Sequence, residues 1–157
     1  MKLQHKSLVF FFSLLISTFS FAQKKVTSPA ETVSGKINGA TITIKYGSPS
    51  VKGRAIWGAL VPYDKVWRAG ANDATTFETD KTITIEGKQL PAGKYSFFVI
   101  PNENESIIIF NKEAKQWGSY DYKASSDQLR VTVKNENGDA LVEKLEYKIM
   151  ETRIELL

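Results

Sequence analysis

The side chains that could do chemistry are concentrated in two stretches. Between Gly47 and Asn72 stand Lys52, Arg54, Lys65 and Arg68 against the single acid Asp64, interleaved with Trp57, Tyr63 and Trp67. Lys112 to Asp127 carries Trp117, Tyr120 and Tyr122. A guanidinium presents a planar fork that matches carboxylates and phosphates, and an aromatic face offers a broad apolar surface with a polar handle. Arg54 and Arg68 are therefore expected to hold an anionic or polar group, Asn72 and Asp73 to orient it, and Trp57, Trp67 and Trp117 to supply apolar contact. Each choice has a plainer counterpart. Trp67 could fill the core with Arg68 stacked on a ring or paired with a carboxylate. Lys52-Gly53-Arg54 could be a solvated turn rather than an anion-binding one. Asn72, Asp73, Thr75 and Thr76 could form a turn into a strand rather than bind calcium or a ligand's hydroxyls. Trp117, Tyr120 and Tyr122 could join Trp57 and Tyr63 in a sugar-stacking platform, or close one end of the fold.

The rest of the inventory removes reactions. His5 is the only histidine and cysteine is absent. Beyond the N-terminal segment there is no Ser-His or Cys-His nucleophile and no His/Cys zinc or copper site. No Gly-rich phosphate fingerprint is present, and no metal or cofactor is expected. Carboxylate catalysis needs two acids held roughly 5 to 10 Å apart in a cleft. Asp64, Asp73 and Glu78 are the acids near the first stretch, and their spacing selects no pair. The expectation is a non-enzymatic domain that binds a carbohydrate or a small anionic ligand. The alternatives are a histidine-free, carboxylate-dependent hydrolase of glycans or phosphoesters, and a structural envelope protein that pairs through a sheet edge.

These residues need a scaffold, and its beginning is separable. Residues 1–22 have a cationic start at Lys2, His5 and Lys6, an apolar run from Leu8 to Phe21, and Ser20-Phe21-Ala22 as a small-x-small cleavage site. This reads as a cleavable signal peptide that delivers the chain to the periplasm or beyond the cell. The run is shorter than the roughly 20 residues that span a bilayer. Cleavage after Ala22 leaves 135 of the 157 residues, a polar lead at 23–30 and one domain at 31–157. It also lowers the formal charge from +4 to +2, too mild to predict nucleic-acid binding.

Period-two alternation dominates the remainder, which reads as an antiparallel β-sandwich, with a jelly roll or barrel as variants, of about eight strands. Thr32 to Ile37 and Ala40 to Tyr46 flank Asn38-Gly39, the pair that supplies two positive-φ residues to a type I′ hairpin. Thr75 to Thr79, Thr82 to Glu86, Tyr95 to Ile100, Ser106 to Phe110 and Leu129 to Lys134 alternate likewise. Leu145, Tyr147 and Ile149 alternate as a strand, though Leu141, Leu145 and Ile149 also fit a helical stripe. The 47–72 connection is long for a compact domain, so it either hides a short strand near Ala55 to Leu60 or carries function.

Five runs go beyond pattern: Tyr-Gly-Ser-Pro-Ser-Val-Lys-Gly-Arg (46–54), Trp-Gly-Ala-Leu-Val-Pro-Tyr (57–63), Val-Trp-Arg-Ala-Gly-Ala-Asn-Asp-Ala-Thr (66–75), Leu-Pro-Ala-Gly-Lys-Tyr-Ser (90–96) and Gln-Trp-Gly-Ser-Tyr (116–120). Together they resemble the bacterial family known as domain of unknown function 2911, over roughly residues 28–135. The resemblance implies a secreted or envelope-associated β-rich protein and brings no activity with it. It also implies a further strand pair after the segment at Tyr147, which Met150 to Leu157 is expected to cut short, leaving a sheet edge exposed.

Overall fold

The computed structural model describes residues 27–138, 140–151 and 153–157. The predicted signal peptide lies outside the described residues. The described chain is all-β and antiparallel: β1 (Ala30–Ile37), β2 (Ala40–Gly47), β3 (Thr75–Thr79), β4 (Ile83–Ile85), β5 (Lys88–Leu90), β6 (Gly93–Pro101), β7 (Glu105–Asn111), β8 (Asp127–Lys134), β9 (Tyr147–Ile149) and β10 (Ile154–Leu156). Six strands form one sheet in the order β1-β2-β3-β6-β7-β8, while β4-β5 and β9-β10 are separate two-stranded ribbons.

The turns follow from backbone chemistry. Asn38 and Gly39, at φ 48° and 78°, close the β1-β2 hairpin as the sequence predicts. Glu86 and Gly87, at 48° and 75°, do the same between β4 and β5, a ribbon that propensity does not announce because Glu is a poor left-handed residue.

Alternation sorts the side chains of the large sheet. Ile42, Ile44, Phe77, Tyr95, Phe97, Val99, Phe110, Leu129 and Val131 face one side, where both ribbons cover them with Leu90, Ile83, Ile85, Tyr147, Ile149 and Ile154. The rings interlock edge to face, with Phe77 and Phe97 each within 5.5 Å of Phe110, centroid to centroid, or closer. Burying each such ring stabilises the fold by about 2 to 3 kcal/mol. Gly35 makes room for the C-terminal ribbon, since a Cβ there would stand 2.7 Å from the Ile149 side chain.

The opposite face is apolar only toward β6 and β7, where Phe98, Ile109 and Ala74 pack with Val66, Ile100, Ile107 and Tyr122. The 112–126 connection lies across this end. Fully buried Asn111 fixes it: Nδ2 donates to the Lys123 carbonyl and Asp127, and Oδ1 accepts from the Glu113 amide and Gln116 Nε2. Ser96 Oγ donates to the Glu113 carbonyl at 2.5 Å. An asparagine with its donors and acceptor paired costs little to bury and gives the loop one geometry.

Candidate functional site

The 47–72 segment is a series of turns pinned to the sheet. The anticipated strand near Ala55 to Leu60 is only a single bridge between Trp57 and Val61. Lys52 and Gly53 take φ 51° and 66°, and a carboxylate of the same chain caps the turn: Glu143 Oε1 accepts the Lys52 amide at 2.9 Å. Arg54 folds back over the same turn, donating from Nε to the Val51 carbonyl and from Nη2 to the Ser50 carbonyl. The basic turn thus binds the chain's own C-terminal part.

Further along, Trp67 extends the sheet where β3 has ended. Its N–H donates to the Val99 carbonyl at 2.8 Å, and the Val99 N–H returns the bond at 2.9 Å. Trp67 packs with Val99 on the larger core, while Val66 packs with Phe98 on the opposite face. Alternation then returns Arg68 to the Val66 face, away from Trp67. There Nη1 lies 3.7 Å from the position a Cβ of Gly118 would take, beside the Tyr120 ring. Nε of Arg68 is buried and has no hydrogen-bond partner among the described residues, and the same holds for Oε1 of Gln116. A buried donor and a buried acceptor left over in one region mark it as polar and unsaturated by the protein alone.

The chain segments around Arg68 are tied by main-chain bonds. Asp73 bridges Trp117, the Ala74 N–H donates to the Gln116 carbonyl at 3.0 Å, and the Gly118 N–H donates to the Asn72 carbonyl at 3.2 Å. Asn72 adopts φ 65° and its Nδ2 donates to the Ser28 carbonyl. Asp73 is exposed and its carboxylate has no hydrogen bond or ion pair among the described residues. Trp117 is 58% exposed and Tyr120 82%. Arg68, Asn72, Asp73 and Trp117 are therefore brought to one surface.

Trp57 and Trp67 form a separate edge-to-face pair, centroids 5.6 Å apart, on the other side of the sheet from Arg68. Arg54 sits on the turn held by Glu143. Thr75, grouped with Asn72 and Asp73 from sequence, is buried and donates to the Ala69 carbonyl. No group of three or more acidic, His or Cys side chains suited to a metal occurs among the described residues.

The sequence profile of a family described as a protein of unknown function, DUF2911, matches residues 28–156. The chain belongs to the DUF2911 family. The match runs through β10, so the family segment includes the C-terminal ribbon that the motif resemblance left out, and among the described residues β10 pairs with β9 alone. No curated protein and no solved structure gives a significant match to this DUF2911 chain.

The acids offered for hydrolysis are dispersed in the DUF2911 fold. Asp64 lines a cleft at the end of the β6-β7 hairpin, Asp73 faces Trp117, and Glu78 stands on β3 opposite Lys94 and Thr43. Sequence reasoning did not select Gln116, Asn111 or Glu143. Polar residues of these types are ordinary on a surface, and only their long-range partners distinguish them.

Proposed function

We propose that this DUF2911 chain is an exported binding domain that takes a carbohydrate or small anionic ligand on the surface formed by Arg68, Asn72, Asp73, Trp117 and Tyr120. The observation that carries this reading is Trp117. Its backbone is clamped to the 72–74 segment on both sides, yet its indole is more than half exposed. A large ring on a clamped backbone and left wet forgoes part of the stabilisation that burial would bring, and it suits a stacking surface because tryptophan has only two side-chain torsions to immobilise on binding. Arg68 beside it supplies donors for a hydroxyl or carboxylate, and the Asp73 carboxylate supplies an acceptor. Export is supported by the cationic start and apolar run of residues 1–22.

The test is tryptophan emission of the full chain titrated with neutral sugars and uronic acids. Saturable binding is expected, with Trp117→Ala and Arg68→Ala each weakening it about tenfold, equivalent to about 1.4 kcal/mol. Because Arg68 has a buried nitrogen, Arg68→Lys serves as the second variant: charge is kept and the fork lost. A Trp117→Ala chain that binds as well as the parent, or a parent that binds none of these compounds, overturns the proposal.

A further inference from the structure

An open cleft lies at the far end of the β6-β7 hairpin, built from residues the surface around Arg68 does not use. Its volume is about 490 Å³. Its floor is apolar: Ile100 and Ile107 face each other directly across the ladder and belong to the smaller core. Its rim is polar and acidic, with Asp64, Glu105, Asn102 and Asn104, and among the described residues no Lys or Arg lines it.

One side of the rim is held by hydrogen bonds. The Asp64 N–H donates to the Pro101 carbonyl at 2.9 Å, and Asn102 Nδ2 donates to Asp64 Oδ1 at 2.8 Å. Asn135 braces the hairpin from β8: its N–H donates to the Asn104 carbonyl, its Nδ2 to the Asn102 carbonyl, and its Oδ1 accepts from Ser106. Neither Asp64 nor Glu105 forms an ion pair among the described residues. Lys134 stands opposite Glu105 in the ladder and makes no ion pair with it. Two carboxylates, that of Asp64 held by Asn102 and that of Glu105 exposed, thus stand without ion pairs beside a hydrophobic floor.

That combination selects among ligands. A sugar would gain no aromatic stacking, because the lining has no ring. A hard divalent ion prefers six to eight oxygens and gains nothing from two isoleucines, and part of the amide capacity here is already committed. An alkyl ammonium uses both features, its charge at the carboxylates and its methylenes on the isoleucines. We infer that this cleft is a binding site for a primary aliphatic amine, with the ammonium between Asp64 and Glu105 and the alkyl chain against Ile100 and Ile107. The inference is independent of the proposed ligand surface around Arg68, and either can fail alone.

The experiment follows amide resonances of the ¹⁵N-labelled full chain during titration with butylamine, with 1-butanol as the neutral analogue and calcium chloride as the inorganic cation. Saturable shifts confined to residues 64, 100, 102–107 and 132 are expected with butylamine. Asp64→Asn combined with Glu105→Gln should weaken binding at least about tenfold, Lys134→Gln should tighten it, and Glu31→Gln should leave it unchanged. Asn suits the φ of 59° at Asp64 and retains an acceptor for Asn102, so the double variant should keep its fold. Equal response to 1-butanol, saturation by calcium in place of the amine, diffuse shifts, or undiminished binding by the double variant each overturns the assignment. If a lysine-containing tripeptide binds more tightly than butylamine, the amine is a protein side chain; the reverse order makes it a free small molecule.

Discussion

Tyr147 shows how much of this fold converges on single atoms. Its hydroxyl donates to the Ala69 carbonyl at 2.7 Å, and the same oxygen accepts the Thr75 hydroxyl at 2.9 Å. Ala69 holds a left-handed φ of 54°, unusual for alanine, while fully buried. The Tyr147 ring meets Tyr46 and Phe97 edge to face, so one side chain from the end of the chain locks a strained residue in its middle against β2 and β6. Burial drives the Tyr147 hydroxyl well above the ordinary tyrosine range. The folded state therefore keeps it protonated where the unfolded chain ionises, near pH 10. Its contribution to stability is complete below that pH and declines as the pH rises beyond it. Tyr147→Phe should cost about 1 kcal/mol at neutral pH, since the ring stays and one hydrogen bond goes. It should also make the alkaline loss of stability shallower, without abolishing it, because burial also raises Tyr46, Tyr95 and Tyr122. Urea unfolding at intervals from pH 7 to pH 11 reads both effects, and an identical alkaline slope in the variant would refute this account.

Between elements, the tightest contact is where the 69–71 segment crosses the end of β2. Ala71 donates its N–H to the Gly47 carbonyl at 3.2 Å, and a Cβ on Gly47 would lie 2.2 Å from the Ala71 oxygen. Backbone meets backbone there, so Gly47→Ala should destabilise by about 3 kcal/mol or more. Gly53→Ala is the contrast. It has φ 66° and open space, so only the left-handed penalty of about 1 kcal/mol applies. Thermal melts of both variants test the difference, and equal losses would mean that the crossing is not tight in solution. The same elements show what a sequence reveals. The β1-β2 hairpin was readable because Asn-Gly states its turn locally, and β3, β6, β7 and β8 because alternation is local too. β5 was not, being three residues long after a Glu-Gly turn. For the candidate site, the Trp117 stretch and the Arg68 stretch were both visible, but their juxtaposition rests on bonds between residues more than forty positions apart. The separation of Trp67 from Arg68 depends on Trp67 continuing the sheet, which follows only once Val99 is known to be its partner.

For the molecule as a whole, the proposed export is the property to test first. If residues 1–22 act as proposed, the protein recovered from outside the inner membrane should begin at Gln23, and N-terminal sequencing with intact mass decides this. A recovered chain beginning at Met1 would remove export from the proposal. The edges of the large sheet differ in protection. On β8, the Arg130 carbonyl accepts Lys88 Nζ from the neighbouring ribbon, whereas β1 pairs with β2 alone. Within the C-terminal ribbon Leu157 donates to the Glu146 carbonyl and Glu146 returns the bond, and the other side of β10 pairs with no strand among the described residues.

That ribbon also sets an order of events. Ile149 fills the space left by Gly35, and Tyr147 meets Tyr46, so β9 covers the first hairpin, β1-β2. Contacts separated by about a hundred residues close late and slowly, because the loop entropy must be spent before they form. A chain truncated before Glu146 would lose the contacts of Ile149 with Gly35 and of Tyr147 with Tyr46, so the first hairpin of the chain is among the last parts of the core to be sealed.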